Sequence, residues 1–139
     1  MLLTGLLFLV FGLLCGVLGG IQYVTTDFLA GSLPFYKLRP LHVYAVTTFI
    51  ILTASGGVYY YLNDINVLPE SVHKIAKMQY WIFTVTAVSI LILFIAGVFG
   101  GREYLEYPPA LAIPVLMYWV LFGWNYRKTI KGIKFSEAP

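Results

Sequence analysis

Long apolar stretches separated by short polar segments dominate the sequence. Four of the stretches are long enough to cross a bilayer as helices, which takes roughly 20 residues each. They cover about residues 2–24, 41–62, 75–98 and 110–124. Because no long polar linker or low-complexity stretch divides them, we predict an all-α membrane protein with four transmembrane helices in a single domain, residues 1–139.

The first stretch has the position of a signal peptide. It lacks a positively charged start, and its apolar run is longer than that of a typical signal sequence. We therefore expect residues 2–24 to remain as a helix.

Composition supports a membrane location. The chain is 60% hydrophobic and 11% charged, whereas roughly 25% of residues are charged in soluble domains. The mean hydropathy is +0.83, so we expect the lipid bilayer to be the main partner of the surface. The net charge is only +3, and no basic patch is clustered as in nucleic-acid-binding proteins. Nucleic acid is excluded as an expected partner.

The basic residues predict the direction of the helices. Six lie in the second loop and the C-terminal tail, against three on the other side of the membrane. The first group is Lys74, Lys77, Arg127, Lys128, Lys131 and Lys134, and the second is Lys37, Arg39 and Arg102. The positive-inside rule then puts both termini in the cytoplasm. It also places His42 and residues 102–109 at the same outer surface.

His42 is the most informative residue of the chain. An ionisable side chain within a membrane span indicates function by default, and its partner could be a proton path, a hydrogen-bonding neighbour or a metal. Ala45, Phe49, Leu52 and Gly56 share its helix face. Since these residues are small or flat and include no carboxylate, the face favours a large planar ligand over a proton wire.

The start of the second helix is predicted from its prolines. Ser32 is the expected N-cap, with Pro34 in the first turn. Pro40 then lies inside the first turns, where it removes a backbone hydrogen bond and is expected to bend the helix near His42. The other histidine, His73, is expected to be an ordinary surface residue at the opposite membrane face.

Small residues repeat every four positions in the first span, at Gly12, Gly16 and Gly20. Such a stripe lets a helix or a flat ligand approach the backbone closely, and we favour helix packing. Cys15, the only cysteine, is expected to pack as a small hydrophobic residue.

Residues 100–109 combine acidic, basic and aromatic side chains between two apolar spans. Glu103 and Glu106 would share one face of a helical turn. Their carboxylates could bind calcium or serve as a proton entry or exit. A solvated loop anchored by interfacial tyrosines is the alternative, and the spacing alone leaves these interpretations open.

Five segments in the same order resemble the N-terminal part of the large subunit of nitric oxide reductase, a branch of the haem-copper oxidase superfamily. They are residues 19–29, His42, residues 57–62, residues 74–83 and residues 101–108. Residues 38–42 look more like the C-family (cbb-type) cytochrome oxidases. The resemblance implies a haem-copper oxidase-like helix bundle and covers nearly the whole chain.

The resemblance also implies roles for individual residues. His42 corresponds to an axial ligand of the low-spin haem b. Glu103 matches a ligand of a calcium ion that bridges to the haem propionates, and Glu106 matches a glutamate of proton or charge handling. Arg39 and Arg102 occupy positions where contacts with the propionates are expected.

The chain departs from the family pattern in two ways. Val43 and Tyr44 stand where threonine and asparagine are typical, which puts the polar contacts beside the histidine in doubt. The family's other haem and metal ligands lie in later helices, and only His73 remains here as a further histidine.

We therefore expect a split subunit of a prokaryotic inner-membrane complex that reduces NO or O2. The subunit would be inactive alone and would share haem b with a larger multi-helix chain. A cytochrome c-type or quinol-linked subunit would donate electrons. Two alternatives stay open: a homodimeric membrane cytochrome b in which two His42 side chains hold one haem, and a haem-free structural or assembly subunit. The sequence does not distinguish NO from O2 as substrate.

Overall fold

The computed structural model describes residues 1–65, 68–100, 102 and 106–131. This part of the chain consists of helices and contains no β-strand. The helices are α1 (Leu2–Val24), α2 (Phe35–Ile65), α3 (Glu70–Ala96) and α4 (Ala112–Ile130), and a 3₁₀ turn at Pro109–Leu111 precedes α4. The all-α prediction is confirmed.

Three of the helices, α1, α2 and α3, are long and apolar enough to cross a membrane. The fourth helix, α4, has 19 residues and carries Arg127 and Lys128 in its last turn. It begins close to the predicted start of the fourth span but continues beyond Trp124.

Helix α1 packs against α2 through its glycines. A Cβ at Gly5 would lie 2.7 Å from Thr53 Cγ2, and one at Gly12 would lie 3.2 Å from Ala45 Cβ. Cys15, which is 5% exposed, lies in the same interior. The prediction that this stripe serves helix packing and that Cys15 is buried is confirmed for these positions.

Helix α2 begins later than its predicted cap. Its first residue is Phe35, and the Pro34 carbonyl accepts hydrogen bonds from the N–H groups of Lys37 and Leu38 at 2.8 and 3.2 Å. Ser32 as the N-cap is therefore wrong, because Pro34 holds the position before the first helical residue. Pro40 lies inside the helix as expected.

Hydrogen bonds fix the connections near the start of α2. Gln22 Nε2, at the end of α1, donates to the carbonyls of Phe28 and Leu33, both at 2.8 Å. Lys37 Nζ donates to the Ile95 carbonyl at 2.9 Å, where α3 ends before the left-handed Gly97. A cationic side chain at a helix C-terminus satisfies carbonyls that have no partner within the helix. The start of α2 and the end of α3 therefore lie together.

A buried polar network joins α2, α3 and α4 in the other half of the bundle. Tyr118 Oη donates to Ser55 Oγ at 2.5 Å, and Tyr59 Oη donates to Gln79 Oε1 at 2.7 Å. Asn125 Nδ2 donates to Tyr59 Oη at 3.1 Å and to the Val72 carbonyl at 3.0 Å. Hydrogen bonds between helices supply part of the association energy in a bilayer. The apolar periodicity of the spans did not predict this network.

Candidate functional site

His42 lies on α2 and faces α1. Its Nδ1 is 2.7 Å from the Gly12 carbonyl oxygen. A carbonyl only accepts hydrogen bonds, so Nδ1 carries the proton, and in the neutral ring Nε2 keeps the lone pair. Helix α1 thus fixes both the orientation and the tautomer of the imidazole.

Gly16 makes room for this ring. A Cβ at Gly16 would lie 2.7 Å from His42 Nδ1 and 2.9 Å from Cε1, whereas a Cβ at Gly20 would meet nothing within 4 Å. The glycine stripe therefore serves two purposes, because Gly12 provides the carbonyl and Gly16 provides the space.

The helix face that His42 shares with Ala45, Leu52 and Gly56 is covered by α1. Ala45 and Leu52 are fully buried, and a Cβ at Gly56 would lie 3.0 Å from Met1 Cβ. The expectation that a large planar ligand lies along this face is wrong, because the first helix occupies it. A ligand can reach His42 only at the edge of the α1–α2 interface, where the imidazole is half-buried.

An ion pair joins α2 to the segment before α4. Arg39 Nη2 donates to Glu106 Oε1, and the Glu106 side chain is 19% exposed against 49% for Arg39. Arg39 and His42 lie one turn apart on α2. The prediction that the second helix entrance and the Glu106 segment lie at the same end of the bundle is confirmed.

Backbone packing holds Glu106 in place. The Gly100 N–H donates to the Glu106 carbonyl, and a Cβ at Gly100 would overlap the carbonyl oxygen of Tyr107. Tyr107 is 7% exposed, and burial raises the pKa of its phenol above the ordinary value. Tyr107 therefore stays neutral beside the ion pair at physiological pH.

A cavity of about 210 Å³ lies beneath this ion pair, among α2, α3 and the segment before α4. Arg39 and Glu106 line its entrance, and Phe83 and Phe94 line its apolar wall. The hydroxyls of Tyr44 and Thr48 have no hydrogen-bond partner elsewhere among the described residues. Sequence reasoning missed both hydroxyls, since Tyr44 stood out only as a departure from the family pattern.

The remaining predicted site residues are placed unequally. Arg102 is exposed. Glu103, the expected calcium ligand, lies outside the described residues. Within residues 1–65, 68–100, 102 and 106–131, no three histidine, cysteine, aspartate or glutamate side chains are grouped as metal ligands.

His73 lies at the opposite end of the bundle. It is exposed at the start of α3, and its Nδ1 is 3.4 Å from the Pro69 carbonyl oxygen. With a rise of 1.5 Å per residue, the part of α2 between His42 and its last turn measures about 30 Å. The two histidines cannot bind one iron within a single chain.

Comparison with known proteins gives one family and two relatives. The family model "Cytochrome C and Quinol oxidase polypeptide I" matches residues 1–135. A nitric oxide reductase subunit of Stutzerimonas stutzeri is 26% identical over 136 residues, which are 87% of this chain and 29% of that protein. The Tic20 family protein Ycf60 of Porphyra purpurea is 24% identical over 130 residues, which are 85% of this chain and 60% of that protein. The chain spans less than two thirds of either relative.

Proposed function

The chain belongs to the cytochrome c and quinol oxidase polypeptide I family, and on that premise we propose that it is a split N-terminal subunit of a nitric oxide reductase or haem-copper oxidase-type respiratory complex. It is a multi-pass membrane protein of this oxidoreductase family. In the proposal, His42 supplies one axial nitrogen to a low-spin haem b.

The hydrogen bond between His42 Nδ1 and the Gly12 carbonyl is the observation that carries this proposal. Histidines that bind metals almost always donate their other ring N–H to a carboxylate, a backbone carbonyl or water, which fixes the tautomer and raises the basicity of the ligating nitrogen. His42 meets this requirement, and its Nε2 has the lone pair that iron needs. The residues present therefore fit one axial position.

The proposal assigns the other axial position to residues outside this chain. His73 is too far away, so the second imidazole belongs to a larger multi-helix partner, together with the ligands of the site that reduces NO or O2. A haem held between two imidazoles has no free coordination position and transfers electrons. A cytochrome c-type or quinol-linked subunit would supply them.

The charged residues near His42 have proposed roles as well. Arg39 and Arg102 would contact haem propionates, and Glu106 would handle protons or charge next to Arg39. Glu103 would bind calcium between the protein and the propionates. The Arg39–Glu106 pair supports this scheme, because it places both signs of charge one helical turn from His42.

The proposal includes the membrane arrangement. Helix α4 runs antiparallel to α3 and is about 28 Å long, which approaches the roughly 30 Å of the hydrocarbon core. If α4 is the fourth span, both termini lie in the cytoplasm of a prokaryote, and His42 lies near the outer face of the inner membrane.

The test is a reduced-minus-oxidised spectrum of the complex purified from native membranes, for the wild type, His42→Ala and His73→Ala. We expect His42→Ala to abolish the low-spin haem b band and electron transfer to NO or O2. His73→Ala should leave the band unchanged. Retention of the band in His42→Ala would overturn the ligand assignment.

The same preparation separates the alternatives. A haem band from this chain expressed alone, with one haem for each pair of chains, would indicate the homodimeric cytochrome b. An intact complex whose spectrum and activity do not respond to His42→Ala would indicate a haem-free structural subunit. The split subunit requires the band to depend on both His42 and the larger chain.

A further inference from the structure

A second concave surface lies at the opposite end of the bundle from His42. It is a groove of about 560 Å³ between the first turn of α1, the last turns of α2 and the first turns of α3. We call it the α3 groove. None of the roles proposed for His42 and its neighbours uses it.

The walls of the α3 groove are apolar and come from three helices. Leu2 and Leu3 on α1 face Tyr60 on α2 and Ala76 on α3. Leu3 is 73% exposed and Tyr60 is 72% exposed, although they adjoin the buried Val72. A groove of this kind at the end of membrane-spanning helices is accessible to molecules that partition from the bilayer.

Two basic side chains line the same groove. His73 and Lys77 are four residues apart on α3, so they lie on one face of the helix. The lining contains no acidic side chain among the described residues. Lys74 behaves differently, because its Nζ forms an ion pair with Glu70 Oε1 at 2.8 Å. No ion pair is found for Lys77 within the described part of the chain.

We propose that the α3 groove binds an anionic phospholipid. The phosphate lies against Lys77 and His73, and an acyl chain follows the wall formed by Leu2, Leu3 and Tyr60. Basic pockets between membrane helices attract acidic lipid headgroups, and a basic residue near the surface contributes enough attraction for about a fivefold preference. The apolar wall favours a lipid over a soluble anion, since a soluble anion has no use for it. This site does not depend on the proposed role of His42.

The test uses the full chain, with its partner if the two are isolated together, in vesicles that contain spin-labelled phosphatidylglycerol or phosphatidylcholine. Electron paramagnetic resonance measures the fraction of each lipid that the protein immobilises. We expect the wild type to prefer phosphatidylglycerol, and we expect Lys77→Gln to lower that preference about fivefold. Lys77→Arg should preserve it.

The matched control is Lys131→Gln, which removes the same charge from the same end of the bundle but outside the groove. Ala76→Phe fills the groove and should reduce immobilisation of both lipids while leaving the helical circular dichroism unchanged. Excess inorganic phosphate should not displace the lipid. Equal losses in Lys77→Gln and Lys131→Gln, or no loss in Lys77→Gln, would refute the site and leave only a general attraction to the basic surface.

Discussion

The two ends of the bundle use polar side chains in different ways. At the His42 end, α1 binds one nitrogen of an imidazole and leaves the lone pair of the other, and an ion pair lies half-exposed one turn away. At the opposite end, Tyr59, Tyr118 and Asn125 direct their polar atoms towards neighbouring helices. The first arrangement prepares groups for a ligand, and the second holds helices together.

This difference shows why polarity alone does not identify a site inside a membrane. Asn125 is fully buried, and an isolated polar group there would be costly. Its amide meets that cost through the hydrogen bonds to Tyr59 and Val72. His42 is more exposed than Asn125, and the hydrogen bond to Gly12 satisfies only one of its ring nitrogens.

The sharpest way to break the comparison is to add one methyl group at the His42 end. Gly16→Ala places a Cβ against the imidazole, and overpacking of this kind costs about 1–3 kcal/mol. We expect the free energy of unfolding in mixed micelles to fall by that amount. On the proposed function, the low-spin haem band should also weaken, because the ring is displaced from the Gly12 carbonyl.

Gly20→Ala is the control for this prediction. Its Cβ meets nothing within 4 Å, and the two substitutions change helix propensity in the same direction. If both variants have equal stability and equal spectra, the close contact between Gly16 and His42 does not position the imidazole.

A smaller effect is expected at the opposite end. Asn125→Leu keeps a similar volume but leaves Tyr59 and the Val72 carbonyl without their donor. Interhelical hydrogen bonds in membranes contribute about 1–2 kcal/mol, so unfolding in mixed micelles should require that much less free energy. The haem band should not change, because Asn125 is remote from His42.

Thr47→Val is the comparison for Asn125→Leu. The Thr47 hydroxyl is exposed and donates to the Val43 carbonyl of its own helix at 2.8 Å, so its removal should alter stability little. An Asn125→Leu protein that is as stable as Thr47→Val would show that the network does not join the helices.

The smallest effect is expected for the two ion pairs. Glu106→Gln removes the pair with Arg39, and the cost should reach at most about 1 kcal/mol because Arg39 is half-exposed. Glu70→Gln removes the exposed pair with Lys74, which should cost about 0.2–0.5 kcal/mol. Unfolding of both variants at low and high salt checks the order, and a larger, more salt-sensitive loss in Glu70→Gln would reverse it.

Much of the architecture was predictable from the sequence because it depends on local composition. The first span was predicted at about residues 2–24, and α1 covers Leu2–Val24. The common location of Arg39 and the Glu106 segment followed from the charges of the loops. The start of α2 was less accurate, since Ser32 and Pro34 offered competing helix boundaries and the backbone geometry favours Pro34.

The contacts of the site were less predictable than its location. Sequence spacing placed His42 with Ala45 and Leu52 on one face, but it could not show that α1 covers that face. The cavity beside Tyr44 and Thr48 was missed for the same reason, because its wall comes from α3 and the segment before α4. The polar network around Asn125 combines residues as far apart as Ser55 and Tyr118.

The sequence by itself determined an all-helical membrane protein, the location of its long apolar helices, the resemblance to its family and His42 as the residue to examine. These depend on the length, polarity and order of segments, which each segment carries within itself. Only the tertiary structure decided that the Gly12 carbonyl fixes the His42 tautomer and that Gly16 makes room for the ring. Those facts depend on how closely two helices approach and on their rotation, which are set by packing between segments distant in sequence.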